Sequence, residues 1–300
     1  MMRSLFSAVS GLKNSQTAMD VIGNNISNVN TVGFKSSRTI FQDIYSQTIS
    51  TATAPTTTNG GSNAKQVGLG DSIAAISTNM SEGSPESTTN PLDFSISGDG
   101  LFVVDAGNGS YDYTRNGALS LDRDGYLVTA DGNYVMGIKG GEADVANGAA
   151  IYDASGNPLF GKEQITGSMP TGELDVDGNP IYETYSDYAI DKDGVITAMD
   201  SKGNINTLGR LVLATFNNTS GLEKAGSNYY TASANSGNAK INFADNGCGS
   251  LKSGSLEMSN VDLATELTNM IVTQRAFQAN SRVITTSDSM LEELVNLKRS

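Results

Sequence analysis

The sequence predicts an α+β protein, in which two terminal helices pair as a coiled-coil-like domain around an extended linker and a β-rich centre of antiparallel hairpins. Two observations carry this prediction. Both chain ends repeat apolar side chains at alternating steps of three and four, the spacing of one helix face. The residues between the two ends instead show alternating apolar positions separated by Asn-Gly and Asp-Gly turns, which are typical of β-hairpins.

The terminal stripes predict helices over about residues 4–28 and 259–297, each with one apolar face. An intramolecular antiparallel pair and packing against copies of the same chain both remain open from these stripes alone. The charge distribution and the linker described below favour packing between copies. The residues predicted to pack subunits together are Leu5, Val9, Leu12, Met19, Ile22, Ile26, Leu263, Leu267, Met270, Phe277, Ile284 and Leu291.

The chain divides into three predicted parts. Residues 1–30 and 259–300 form the terminal helical domain. Residues 31–70 are a linker that connects it to the β-rich domain, which consists of residues 71–258 with an insertion at about 139–186. Within the connecting part, residues 46–66 consist mostly of Ser, Thr, Ala, Gly and Asn. Such a stretch buries too little apolar surface to become rigid without neighbours. It is therefore expected to be flexible or extended.

The β-rich domain is predicted from short alternating strands and their turns. Residues 101–104 and 208–216 are the most apolar of these strands. Asp124-Gly125, Asp131-Gly132 and Asp193-Gly194 mark tight hairpin turns between strands. The Gly- and Asp-rich insertion predicts loops and a small hairpin.

Charge is unevenly distributed along the chain. The formal net charge is −13, whereas residues 1–50 carry +2 and residues 255–300 carry −2. The two ends therefore cancel, and the middle holds all of the excess negative charge. Neutral ends can pack closely in many copies, and an acidic middle suits a solvated surface. No basic stripe is present to neutralise phosphates, so nucleic acid is not expected as a partner.

Composition also excludes several kinds of chemistry. The chain has no histidine and no tryptophan, which removes serine–histidine and cysteine–histidine catalysis and ordinary histidine-ligated metal sites. Asp175-Val176-Asp177-Gly178-Asn179 starts like a calcium loop, but Pro180 and Ser186 stand where that loop needs Gly and Glu. Cys248 is the single cysteine, and no basic neighbour is present to make it a thiolate. We therefore predict no catalytic, cofactor or metal site.

No run of about 20 apolar residues is present, so no membrane span is expected. The start of the chain also lacks the pattern of an ordinary secretory signal peptide.

Specific strings of residues resemble the axial proteins of the bacterial flagellum, the hook and rod family. The most specific string is Asn-Asn-Ile-x-Asn-x-x-Thr-x-Gly-Phe-Lys, which places signature residues at Asn24, Asn25, Asn28, Thr31, Gly33, Phe34 and Lys35. Further similar strings are residues 98–104, 113–117, 125–128, 254–262 and 274–281. The similarity covers nearly the whole chain outside residues 139–186.

This resemblance implies a tubular polymer whose inner wall is formed by the paired terminal helices. It implies export through the flagellar type III apparatus, assembly beneath a hook cap, and contact with other axial proteins of the rod and hook–filament junction. It places the protein in the hook or basal body, outside the cell. The sequence as a whole looks most like compact hook subunits, which transmit torque while bending. The alternative is a distal rod protein, a stiff drive shaft.

Two other classes were weighed against the flagellar interpretation. A secreted sugar-active enzyme would use paired carboxylates, and polysaccharide turnover abolished by one carboxylate change would reveal it. An adhesin would bind its ligand as a monomer. In the sugar-active enzyme the terminal helices would serve as a stalk.

Overall fold

The computed structural model describes residues 2–55, 57, 60–107, 109–139, 161–162, 167–174, 180–200, 203–244 and 247–297. These residues form two compact units. Unit 1 contains residues 1–29, 36–79 and 261–300, and unit 2 contains residues 30–35 and 80–260. Residues 175–179, which start like a calcium loop, lie outside the described residues, and so does most of the predicted insertion.

Unit 1 contains the two terminal helices. Helix α1 spans Met2–Ser27 and helix α2 spans Leu263–Leu297. The predicted terminal helices are thus present, although α2 begins four residues later than the predicted start at residue 259. Asp262 precedes it, and its side-chain oxygen accepts a hydrogen bond from the Ala264 backbone N–H at 3.1 Å. This is the capping contact that starts a helix.

Unit 1 also contains a long two-stranded hairpin, here called the hairpin arm (residues 37–78). Strands β1 (Ser37–Asp43) and β4 (Asp71–Thr78) pair antiparallel, with a bulge between Ile40 and Phe41. Beyond them, β2 (Ser46–Ser50) pairs with β3 (Lys65–Gly68). Residues that composition marks as flexible or extended therefore include paired strands. Backbone pairing satisfies their polar groups without an apolar core.

Unit 2 is built on one sheet of eleven strands. Its main order is β13-β14-β15-β16-β7-β8-β18-β17, with β11, β12 and β19 attached beside it. These strands are β7 (Leu101–Asp105), β8 (Tyr111–Thr114), β11 (Met136–Lys139), β12 (Gly161–Lys162), β13 (Gly167–Leu174), β14 (Pro180–Ile190), β15 (Val195–Asp200), β16 (Ile205–Thr215), β17 (Glu223–Gly226), β18 (Tyr229–Thr231) and β19 (Lys240–Phe243).

Three further strand pairs complete unit 2. Each pair is antiparallel, and two of them join the strands nearest the C-terminal helix to earlier parts of the unit. The pairs are β5 (Pro85–Ser87) with β21 (Ser255–Glu257), β6 (Phe94–Ser97) with β20 (Ser250–Ser253), and β9 (Leu119–Leu121) with β10 (Leu127–Thr129).

The central strands of this sheet are buried on both faces. On β7, Phe102 and Val104 join one apolar cluster, whereas Leu101 and Val103 join a second. Strand β16 alternates in the same way along residues 211–214. Because both faces are covered, these strands show continuous apolar runs rather than apolar–polar alternation.

Candidate functional site: a helix pair and a buried ion cluster

The two terminal helices pack against each other in antiparallel orientation. The Asn25 amide donates to Glu266 Oε1 at 3.2 Å, and a Cβ on Gly11 would lie 2.5 Å from Asn280 Nδ2. These two contacts lie 14 residues apart on each helix and in opposite directions, so the register is constant between them. At Gly11 the backbone of α1 therefore lies directly against the Asn280 side chain of α2.

The contact face of α1 is made of small and polar residues. The residues buried at alternating steps of three and four are Ala8, Gly11, Ser15, Ala18, Ile22 and Asn25. Where α2 runs beside α1, its least exposed positions lie three, four or seven residues apart, and four of the six are polar: Glu266, Met270, Thr273, Asn280, Ile284 and Ser287. We call this contact the small-residue seam. On α1 it lies beside the apolar row and shares only Ile22 with it.

The residues predicted to pack subunits fall into three groups by exposure. Ile22 is buried in the seam. Leu5, Leu12, Met19, Ile26, Met270, Ile284 and Leu291 are half-buried. The exposed group is Val9, Leu263, Leu267 and Phe277, with exposed fractions of 36–50%.

Signature residue Asn25 joins three elements of unit 1. Its Nδ2 donates to the Ser37 carbonyl at 2.8 Å and to Glu266, and its Oδ1 accepts from the Ser37 N–H at 3.0 Å. The side chain is only 1% exposed. Burial raises the pKa of Glu266, while the Asn25 amide opposes that shift. Asn25 thus fixes the end of α1 to the starts of β1 and α2.

The cap of α2 gives a pH-dependent prediction. The Thr265 hydroxyl and the Ala264 N–H donate to Asp262 and hold the pKa of its carboxyl below the ordinary value of an aspartate. The stabilisation is complete above the unfolded pKa and is lost as pH falls through the lower folded value. We expect Asp262→Ala to fray the start of α2 at pH 7, as measured by amide hydrogen exchange at residues 263–266. Asp262→Asn is the control, because Asn caps as well but does not titrate. Equal protection in Asp262→Ala and the unchanged chain would contradict the prediction.

Unit 2 contains a buried cluster of three charged side chains, here called the ion cluster. Glu257 Oε1 lies 2.5 Å from Lys35 Nζ, and Glu257 Oε2 lies 3.0 Å from Arg115 Nη1. The backbone N–H of Gly83 also donates to Glu257 Oε1 at 2.9 Å. Exposed fractions are 0% for Lys35, 4% for Arg115 and 1% for Glu257. One carboxylate therefore neutralises part of two buried cations.

Backbone carbonyls complete the partners of both cations. Lys35 donates to the Ser81 carbonyl at 2.6 Å, and Arg115 donates to the carbonyls of Ile96 at 3.1 Å and Gly98 at 2.6 Å. Burial lowers the pKa of Lys35, and the hydrogen bond and charge of Glu257 oppose that shift. Buried charges are tolerated in proteins when they are paired and hydrogen-bonded in this way. The arrangement holds structure rather than offering a nucleophile.

The ion cluster also explains part of the signature string. Gly33 has φ +69°, and a Cβ there would lie 2.7 Å from the Asn116 backbone nitrogen. Its N–H donates to the Glu257 carbonyl at 2.8 Å. Phe34 is buried beneath the Lys224 amine, which lies 5.1 Å from its ring centroid. Only glycine fits this left-handed, crowded position, and the residues after it are thereby aimed inward.

The remaining signature residues act locally at the end of α1. Asn28 Nδ2 donates to the Asn24 carbonyl at 2.9 Å and to Asn24 Oδ1 at 3.0 Å. The Thr31 carbonyl accepts from the Phe34 N–H at 3.3 Å. These contacts end the helix and turn the chain toward Lys35.

Other chemistry is sparse in the described parts of the chain. There, no group of three His, Cys, Asp or Glu side chains could hold a metal ion. Burial raises the pKa of the Cys248 thiol. Neither α1 nor α2 has the length and apolar content to cross a membrane.

Sequence reasoning missed Arg115 and Glu257 of the ion cluster, and Ala8, Gly11, Ser15 and Ala18 of the seam. Arg115 and Glu257 both lie in strings that carried the family resemblance. Glu257 is a lone charged residue between the apolar residues Leu256 and Met258, which was an available signal, whereas Arg115 lies between Thr114 and Asn116 and gave none.

Comparison with known proteins gives matches along the chain. Family profiles described as "Flagella basal body rod protein", "Flagellar hook protein FlgE/F/G D1 domain" and "Flagellar basal body rod FlgEFG protein C-terminal" match residues 5–35, 95–198 and 252–297. The flagellar basal-body rod protein FlgG of Bacillus subtilis is 45% identical over 301 residues, covering all of both chains. The chain belongs to the flagellar hook and rod protein family.

Two further relatives of this family are found in Borreliella burgdorferi. Its basal-body rod protein FlgG is 35% identical over 302 residues and covers both chains completely. Its flagellar hook protein FlgE is 32% identical over 442 aligned residues, covering 99% of this chain and all of that one. The family places the protein in the flagellum. The ion cluster takes one residue from each of the three matched segments, at Lys35, Arg115 and Glu257.

Proposed function

We propose that this chain is the structural subunit of the flagellar hook, which self-assembles into a tube that transmits torque from motor to filament. Assembly uses the faces of α1 and α2 that the small-residue seam leaves uncovered. Those faces include the exposed members of the predicted packing set, Val9, Leu263, Leu267 and Phe277. Copies of the same chain are the partners that would bury them.

The exposure of large apolar side chains in unit 1 is the observation that supports this proposal. Ordinary monomers scatter such side chains singly, whereas contiguous ones mark interfaces. Helix α2 exposes apolar residues along its whole length, including Ile271 at 58%, Val272 at 62% and Leu294 at 49%. The intramolecular pair uses mainly small and polar residues for its own contact and leaves these large apolar side chains exposed for neighbours.

A distal rod subunit is the second candidate. The Bacillus subtilis relative that matches both chains from end to end at 45% identity is named a rod protein. Relatives named hook proteins also span nearly the whole chain, at 32% and 31% identity, but over 442 and 464 aligned residues. The higher identity and the equal chain length of the Bacillus subtilis relative therefore support a rod subunit. The relatives named hook proteins also align with nearly the whole chain, which is compatible with the proposed hook subunit.

Electron microscopy of basal bodies from cells lacking this chain decides between the two. We expect a completed rod that ends without a hook. A missing distal rod would assign the chain to the rod instead. The control is the same strain with the gene restored, in which rod, hook and filament must all reappear. A complete flagellum in the deleted strain would refute both assignments.

We further propose that the chain is not an enzyme and has no cofactor. Its other partners would be the neighbouring axial proteins of the rod and hook–filament junction, the hook cap and the flagellar type III export apparatus. The seven signature residues would serve the subunit's own fold, as the contacts of Asn25, Gly33 and Lys35 indicate.

A further inference from the structure

The geometry points to a specific head-to-tail contact, in which the C-terminal end of α2 in one copy docks into a groove of unit 1 in the next copy. This inference rests on the proposed polymer. It adds which segment meets which surface.

The groove lies between α1, β1 and α2 within unit 1, and its cavity volume is about 270 Å³. Ala18 and Ile22 form its buried floor, and Val21, Phe41 and Val272 line its sides. Arg38 stands at its edge, exposed, and makes no ion pair with any described residue. The groove therefore offers an apolar floor, and its lining carries two charged side chains, the cation of Arg38 and the carboxylate of Glu266.

The docking segment is the part of α2 that extends past α1. Extending the register set by Asn25–Glu266 and Gly11–Asn280 places Met2 beside residue 289. The helix continues to Leu297. Residues 290–297 thus form an overhang of roughly 12 Å, at about 1.5 Å per residue.

The overhang has the chemistry that the groove requires. Met290 and Leu294 lie one helical turn apart on the same face, with exposed fractions of 53% and 49%. Glu293 lies about 60° around the helix from Met290, at about 100° per residue, so it borders the apolar pair. Glu292 points away on the opposite side. The segment is an apolar ridge with one carboxylate at its edge, complementary to an apolar groove with Arg38 at its edge.

The occupant must be another copy of the chain. Val272 and Leu294 lie 22 residues apart on one continuous helix, which is about 33 Å. The overhang therefore cannot reach the groove of its own copy. A contact between two different patches is heterologous and repeats from copy to copy, which builds a ring or an open helical filament rather than a closed dimer.

Disulfide cross-linking of assembled polymer tests the contact directly. In full-length chain carrying Cys248→Ser, we combine Val272→Cys with Leu294→Cys and oxidise the polymer. We expect a ladder of disulfide-linked multimers on a non-reducing gel. The matched control pairs Ile271→Cys with Leu294→Cys, which moves the thiol about 100° around the helix and should give no ladder.

Charge exchange provides the second measurement. We expect Arg38→Glu or Glu293→Lys alone to raise the critical concentration for polymerisation several-fold, because each places like charges together. The double variant Arg38→Glu, Glu293→Lys should restore the original value, while Glu292→Lys should leave it unchanged. Polymer that forms without the Val272–Leu294 ladder and without charge rescue would overturn the docking inference alone. Failure of the unchanged chain to polymerise at all would instead refute the proposed function.

Discussion

Glu257→Gln is expected to destabilise unit 2 by about 3–5 kcal/mol, the usual cost of breaking a buried ion pair from one side. The substitution keeps the shape of the side chain but removes the one carboxylate that is ion-paired with both Lys35 and Arg115, which stay buried. A folded domain has about 5–15 kcal/mol of total stability, so this loss is a large fraction of it. Denaturant unfolding of the full chain, followed by tyrosine fluorescence, measures the effect. Tyr113 and Tyr230 are buried in the same unit and report on its unfolding.

Asp124→Asn is the matched control for this experiment. Asp124 pairs with Arg123 at 3.3 Å, but the two side chains are 61% and 92% exposed. An exposed pair contributes about 1 kcal/mol or less. We also expect Lys35→Met to recover part of the loss in Glu257→Gln, because it removes one of the two unpaired cations. If Glu257→Gln costs no more stability than Asp124→Asn, the ion cluster does not stabilise unit 2.

Local patterns in the sequence predict the elements of this fold well. Periodicity predicts both terminal helices, and the turn residues Gly125, Gly132 and Gly194 all adopt the positive φ that tight turns need. The Asp193-Gly194 turn joins β14 to β15 as an antiparallel pair, as expected. Asn116-Gly117 behaves differently, because β8 before it pairs with β7 and β18 rather than with β9 after it. A turn signal locates a change of direction but does not state which strands then pair.

Periodicity and turn residues do not predict contacts between residues that are far apart in the sequence. Apolar periodicity marks faces that carry large side chains, whereas close helix packing in the seam selects small ones such as Gly11 and Ala18. The ion cluster joins residues 35, 115 and 257, which no periodicity links. The outer part of the hairpin arm is held by backbone pairing between β2 and β3, and the low apolar content of residues 46–66 indicated only a flexible or extended chain there.

Gly11→Leu is expected to abolish polymer formation. A Cβ at this position already meets Asn280 Nδ2 at 2.5 Å, and a leucine side chain would force α1 and α2 apart. Leucine is a strong helix former, so α1 itself should persist while the pairing is lost. Sedimentation and electron microscopy of the purified full chain measure polymer, and tyrosine fluorescence checks that unit 2 stays folded.

Gly23→Leu is the matched control, because it introduces the same side chain on the same helix. A Cβ at Gly23 would have no neighbouring atom within 4 Å outside the helix's own backbone. It should polymerise normally, and replacing a helical glycine should stabilise α1 by about 0.5–1 kcal/mol. Gly11→Ala should fall between the two, since the atom it meets is the movable end of the Asn280 side chain. Combining Gly11→Leu with Asn280→Ala removes that obstacle and should restore some polymer. Normal tubes from Gly11→Leu would mean that close pairing of the helices within one subunit is not needed for assembly.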